Sequence, residues 1–185
     1  SDARVAGVFG AGWQAEGHLE AIAAVRSLQR VKVYARHTER LAAFCTRMSE
    51  RLALEVVAVA SPEEVVRGSD IVSTVTTSAT PLFNAEWLAP GTHINAAGSN
   101  SLIRRELGED VIKRCSPIVV DSVATALCEA GDLLLPLEKG RLHARQLIEL
   151  GDVICGRQAG RSTPDEITLF ESQGMAIQDL AVAVT

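Results

Sequence analysis

Val8-Phe9-Gly10-Ala11-Gly12-Trp13-Gln14-Ala15 is the stretch on which the fold turns. It sets a G-x-G-x-x-A pattern between an apolar run, residues 4–9, and a segment with helical periodicity, residues 14–26, in which Ala15, Leu19, Ile22 and Val25 recur on one face. The pattern alone is weak, but a strand before it and a helix after it are the setting that a phosphate-binding turn requires. Each small residue has a separate job. Gly10 permits the tight turn, Gly12 lets a pyrophosphate approach the backbone, and Ala15 lets helix pack closely on strand. The helix start then offers free N–H groups and a partial positive charge to the phosphates.

Outward from this turn, strand and helix alternate. Strands are predicted at residues 31–34, 55–60, 71–75, 93–96 and 118–120. Thr38 can cap a helix running to about residue 51, with Leu41, Phe44, Cys45 and Met48 on one face. Ser61-Pro62-Glu63-Glu64 reads as a helix start, with an N-cap, a proline at the first helical position and acids near the positive dipole end. Short helices are expected at residues 85–88 and 106–114. The remainder reads as mostly helical, ending in a helix over 175–184. Helical crossovers between strands imply a doubly wound, mostly parallel Rossmann-type α/β sheet flanked by helices, in one domain over residues 1–185.

Composition agrees. The 185 residues are 47% apolar but only 4% aromatic, which predicts an aliphatic core of the kind that buries parallel strands on both faces. The formal net charge is −5 and there is no long basic run, so neither nucleic acid nor an anionic membrane is an expected partner. No apolar stretch approaches the ~20 residues of a membrane-spanning helix, and no signal peptide is expected. Cys45, Cys115, Cys128 and Cys155 are far apart and form no C-x-x-C pair. They read as reduced, mostly buried thiols of a cytoplasmic protein, with no metal site.

The end of the second strand should meet the adenosine ribose. NAD enzymes usually carry an acid there. Here the stretch is Tyr34-Ala35-Arg36-His37-Thr38, with no acid before Glu39. Arg36 can hold a 2′-phosphate with help from Thr38 and His37, or stack on the adenine. NADP(H) is the expected cofactor, with NAD(H) the alternative.

Other candidates carry plainer readings. His18 is expected to pack within the first helix. His93 and His143 have no metal-ligand spacing. Asp121 and Asp132 are expected to cap helices. Arg157 and Arg161 either reach an anion or lie in a solvated loop.

Several further segments carry a resemblance over nearly the whole chain. They include His18-Leu19, Asp70 to Thr76, Pro81, Trp87-Leu88, Pro90 to Ser99, Arg105-Glu106-Leu107, Glu129 to Leu133, Gly160-Arg161-Ser162 and Asp165 to Gly174. In this order the chain resembles the ornithine cyclodeaminase/mu-crystallin family of nicotinamide-dependent enzymes. The resemblance implies that Trp13 and Gln14 lie on the pyrophosphate and that Thr76 contacts the cofactor. It implies that Ala97, Gly98, Ser99 and Asn100 lie at the nicotinamide end with Arg104 near, that Ser172 touches the nicotinamide side, and that Gln173 looks toward substrate.

Asn100 departs from the family. Ornithine cyclodeaminases have an aspartate there that moves protons, and an amide cannot titrate. An Asn still orients an amine or a water. The expected activity is therefore hydride transfer to or from the α-carbon of an amino acid or cyclic imino acid, as in a ketimine or pyrroline-2-carboxylate reductase or an amino-acid dehydrogenase. The alternatives are ornithine cyclodeamination and a non-catalytic, NADPH-dependent small-ligand binder. Family members bind substrate, and dimerise, through a domain whose larger part precedes the nucleotide-binding segment. That domain is expected to be absent from this chain, which should match the middle portion of the enzyme and turn over little alone.

Overall fold

The computed structural model describes residues 2–184. Eight strands run β1 (Val5–Phe9), β2 (Arg30–Tyr34), β3 (Glu55–Ala58), β4 (Ile71–Thr74), β5 (His93–Ala96), β6 (Cys115–Val120), β7 (Leu147–Glu149) and β8 (Ile167–Glu171). They form one sheet in the order β3-β2-β1-β4-β5-β8-β6-β7, and every neighbouring pair is parallel. Eight helices fill the connections: α1 (Trp13–Val25), α2 (Thr38–Leu52), α3 (Pro62–Val66), α4 (Glu109–Arg114), α5 (Val123–Glu129), α6 (Gly131–Glu138), α7 (Leu150–Ile154) and α8 (Ala176–Ala183). This is the doubly wound, Rossmann-type α/β fold that the alternation predicts.

Strand alternation feeds two aliphatic cores, one on each face. Ala6 and Val8 of β1 pack with Val31 and Val33 of β2 against Ala15 and Leu19 of α1 and the Leu41, Phe44, Cys45 and Met48 stripe of α2. Phe9 points to the other face, among Val65 and Val66 of α3, Val72, Ile94, and residues of α4 and α6. The α3 start behaves as its sequence says: Ser61 Oγ accepts the Glu64 N–H at 3.3 Å, and Pro62 opens the helix.

Several expectations need correction. The region read as helical holds two strands, β7 and β8. The β8 run, Ile167-Thr168-Leu169-Phe170-Glu171, is too short for periodicity to separate strand from buried helix, and its place between β5 and β6 depends on partners distant in sequence. The helix expected from residue 106 begins at Glu109 with Gly108 as N-cap, so Glu106 and Leu107 lie in a buried loop. Thr38 is the first helical residue of α2, and His37 holds the cap position without a side-chain hydrogen bond. The 85–88 segment is a single 3₁₀ turn, Ala85–Trp87. Cys45 and Cys115 are buried, but Cys128 and Cys155 are exposed. Among the described residues, no helix is long and apolar enough to cross a membrane.

Candidate functional site

Parallel register aligns the strand ends in one row. Tyr34, Phe9, Thr74, Ala96, Glu171 and Val120 stand side by side from β2 to β6. The backbone ladder then runs one residue further: Gly10 N–H donates to Tyr34 O at 2.9 Å, Val75 to Phe9 O at 3.0 Å, Ala97 to Thr74 O at 2.9 Å and Ser172 to Ala96 O at 2.8 Å. Gly10, Thr76, Ala97 and Ser172, scattered in sequence, therefore share the carboxyl edge of the sheet, where open parallel sheets hold ligands.

At one end of this row is the glycine turn. Gly10 has φ +114°, and a Cβ there would lie 2.8 Å from Val75 O, so the turn itself demands glycine. Gly12 differs. It is the N-cap of α1 with extended backbone and no side-chain cap, and a Cβ there would meet nothing within 4 Å. The helix start is thus open in front, with uncapped N–H groups, which fits a pyrophosphate. Trp13 and Gln14 are exposed beside it, and Ala15 is buried against the sheet. Arg36 and Thr38 are exposed just beyond β2, and Arg36 makes no side-chain hydrogen bond or ion pair among the described residues.

At the other end, β4, β5 and β8 bring together the second set. Thr76 is half-buried, Gly98 and Ser99 are buried, and Asn100 is exposed. Arg104 Nη1 donates to Asn100 Oδ1 at 2.9 Å, so the Asn100 carbonyl is occupied and its NH₂ remains as the donor. Ser172 Oγ donates to Asp121 Oδ2 at 2.7 Å, which leaves the hydroxyl oxygen to accept. Gln173 is half-buried and turns its amide toward Glu171 Oε1 at 3.4 Å.

Both aspartates expected as caps do something else. Asp121 accepts from Ser172 Oγ, from Gly174 N–H at 2.8 Å and from Gln178 Nε2 at 3.2 Å, and so binds the β6 end to the turn after β8; Ser122 caps α5 instead. Asp132 is buried, and its Oδ1 accepts the N–H groups of Glu106 and Leu107 at 2.7 and 3.0 Å. His18, His93, His143, Arg157 and Arg161 lie apart from this edge or are committed elsewhere. Burial pushes the half-buried His18 imidazole down on α1, and His143 is exposed. His93 lies at the start of β5, with Nδ1 2.7 Å from Thr168 Oγ1 and Nε2 3.1 Å from Asn95 Oδ1. Arg161 donates to Thr168 Oγ1 at 3.0 Å and to the carbonyls of Pro164 and Glu166, at the amino ends of β5 and β8. Arg157 pairs with Asp152 at 2.7 Å.

The missed feature is a buried acid layer under the second set. Glu106 accepts the N–H of Thr76 at 2.6 Å and of Gly98 at 2.8 Å, one on each oxygen. A Cβ on Gly98 would run into that carboxylate and Thr76 O, so glycine is needed for the close approach. Ser99 Oγ donates to Glu171 Oε1. The sequence signal was an acid closing an apolar run, Glu171 after Leu169-Phe170.

Burial pushes the Asp132 carboxyl up to about 7, with neighbouring Glu106 adding to the rise. The sign follows from linkage. The folded chain holds a proton that the unfolded chain releases near the ordinary aspartate value, so this group's stabilising contribution is complete below that value and is lost as pH rises toward 7. Asp132→Asn does not titrate, so it gains on the parent by about 2–3 kcal/mol between about pH 5 and pH 8. Urea unfolding of both proteins at the two pH values checks this; a constant difference refutes it.

The comparisons agree with this geometry. The family model of the ornithine cyclodeaminase/mu-crystallin family matches residues 1–185. The chain is 40% identical over 177 residues to a Δ¹-pyrroline-2-carboxylate reductase of Bacillus cereus, covering 95% of this chain and 54% of that protein. It superposes on the Thermococcus litoralis Δ¹-pyrroline-2-carboxylate reductase in complex with NADH and L-proline with a TM-score of 0.95 at 35% identity, covering 99% of this chain and 57% of that one. It superposes on an archaeal alanine dehydrogenase dimer with bound NAD with a TM-score of 0.92 at 34% identity, covering 99% and 56%. The chain spans about half the length of the curated relatives it matches. A motif row aligned along one sheet edge, matched end to end by one family model, shows that the chain belongs to the ornithine cyclodeaminase/mu-crystallin family.

Proposed function

We propose that this chain is the dinucleotide-binding domain of an NAD(P)(H)-dependent oxidoreductase acting at the α-carbon of an amino acid or cyclic imino acid, with imine reduction the favoured activity. The observation that carries the reading is the uncapped, open helix start at Gly12 in the same row as the Thr76, Gly98 and Ser172 loops. Gly10, Gly12, Trp13, Gln14 and Ala15 form the pyrophosphate cradle. Thr76, Ala97, Gly98, Ser99, Arg104 and Ser172 form the nicotinamide side, and Gln173 the substrate side. The cofactor, when bound, supplies or accepts the hydride.

Asn100 orients and does not titrate. Asn100, fixed by Arg104, presents an amide NH₂ that can hold a substrate or water oxygen. It cannot serve as general acid or base, which weighs against ornithine cyclodeamination. The substrate ligands and a homodimer contact are assigned to the part of the family's length that this chain does not span. Four free thiols suit a reducing, cytoplasmic compartment. With reduced cofactor and Δ¹-pyrroline-2-carboxylate, the whole protein should form L-proline as the nicotinamide absorbance falls. Ammonia release from ornithine instead would overturn the assignment.

NADP(H) is the proposed preference, because the β2 end offers Arg36 and Thr38 and no acid. Arg36→Ala should weaken NADPH binding by about ten- to a hundredfold, the value of a charge-assisted phosphate contact, and change NADH binding by less than about threefold. Fluorescence titration with each cofactor reads both. Equal parental affinities for NADPH and NADH would remove the preference.

A further inference from the structure

Under the Thr76, Gly98 and Ser99 loops lie three carboxyls with no ion-pair partner among the described residues. Glu106, Asp132 and Glu171 are at most 1% exposed, and the ion pairs all involve other acids. The three differ in how their oxygens are used. Both Glu106 oxygens accept backbone N–H groups, the setting of an anion. Asp132 uses only Oδ1, for the N–H groups of Glu106 and Leu107. Glu171 uses only Oε1, for Ser99 Oγ and Gln173 Nε2. The second oxygens, Asp132 Oδ2 and Glu171 Oε2, are buried with no hydrogen-bond partner.

Two more buried anions beside Glu106, each with an orphaned oxygen, is an unfavourable state. One proton held on the Asp132 and Glu171 carboxyls relieves it. Burial raises both groups, Asp132 raises Glu171 further, and Glu106 adds to the rise of each. The groups acting on Glu171 are Asp132 from α6 and Glu106 from the loop before α4, with the Ser99 hydroxyl on its Oε1. The cations of the same loop point elsewhere: Arg104 to Asn100 and Arg105 to the Gly131 carbonyl.

The layer is wired to the surface above it. Glu106 fixes the N–H groups of Thr76 and Gly98, and Glu171 takes the Ser99 hydroxyl. These residues belong to the nicotinamide side of the proposed site, and the inference rests on that reading. A nicotinamide ring is cationic when oxidised and neutral when reduced, so a buried charge beneath it interacts with the two forms differently.

We propose that the Asp132–Glu171 pair reads the charge of the bound nicotinamide, keeping its shared proton under the neutral, reduced ring and giving it to solvent under the cationic, oxidised ring. By linkage, the pair then favours the oxidised cofactor increasingly as pH rises, and the preference is reciprocal with proton loss.

Calorimetric titration of the chain with NAD⁺ and NADH, and with NADP⁺ and NADPH, in two buffers of different ionisation enthalpy, counts the protons directly. The expected result is fractional proton release on binding the oxidised form near neutral pH and none on binding the reduced form. The oxidised-to-reduced affinity ratio should rise about tenfold between about pH 6 and pH 8.5, one pH unit's worth of linked binding. Glu171→Gln keeps an acceptor for Ser99 and should reduce the proton release and the pH dependence, and its combination with Asp132→Asn should abolish both. Asp132→Asn alone should reduce them from the other side of the pair, and stands as the test if Glu171→Gln does not fold. A pH-independent ratio in the parent, or proton release that survives both substitutions together, overturns the proposal. Failure of both oxidised and reduced cofactors to bind overturns the dinucleotide-binding reading itself, and this inference with it.

Discussion

Gly12→Val yields a chain that folds and no longer binds a dinucleotide. The backbone at Gly12 is extended, a conformation open to valine, and a Cβ there meets no protein atom within 4 Å. The substitution therefore disturbs only a helix cap, which costs about 1 kcal/mol, or about 3 °C in Tm for a chain of this size. The same open space is where the pyrophosphate must approach the α1 N–H groups. Filling it should weaken NAD(P)H binding at least about a hundredfold, roughly 2.7 kcal/mol. Gly10→Ala should behave in the opposite way. Its φ of +114° and the 2.8 Å approach of a Cβ to Val75 O predict a loss of about 2–4 kcal/mol of fold stability. Thermal unfolding and cofactor titration on both variants separate the two roles. Equal loss of stability in both would show that the turn has one role and not two.

Glu106→Ala should be the most damaging single change outside the strands. It removes both acceptors that hold Thr76 and Gly98. Two backbone N–H groups are left beneath the loops, and a cavity forms where a fully buried side chain stood. Unpaired donors cost about 1–3 kcal/mol each, and lost packing adds to this, so a loss of about 3–5 kcal/mol is expected. One compensation works against it: the Glu106 anion raises Asp132 and Glu171, so removing it lowers the cost of ionising both. Denaturant unfolding should thus show a smaller loss at alkaline pH, where Asp132 and Glu171 ionise, than near pH 5. Cofactor affinity should fall too, because the loops after β4 and β5 lose their common tie. A loss below about 1 kcal/mol would show that water replaces the carboxylate, and that Glu106 does not organise the site.

The Gly10–Ala15 turn, the α2 stripe, the Ser61 cap and the first six strands were legible because each is a local signal. Backbone conformation, side-chain periodicity and capping act over a few neighbouring residues. The motifs also pointed to Thr76, Gly98 and Ser172, and register places them at one edge of the sheet. The acid layer was not legible in this way. Glu106 sits where a helix start was expected, Asp132 reads as a cap, and Glu171 closes a run that was taken for helix.

By itself, the sequence determined the phosphate-turn geometry, the strand–helix alternation and the family, since all three are written in residues near one another or in their order. Only the tertiary structure decided that β8 enters between β5 and β6, and hence that Glu171 meets Asp132 and Glu106 beneath the loops after β4 and β5. Strand order is chosen by burial across distant segments, and the charge a carboxyl carries is decided by the burial and the neighbours that this order creates.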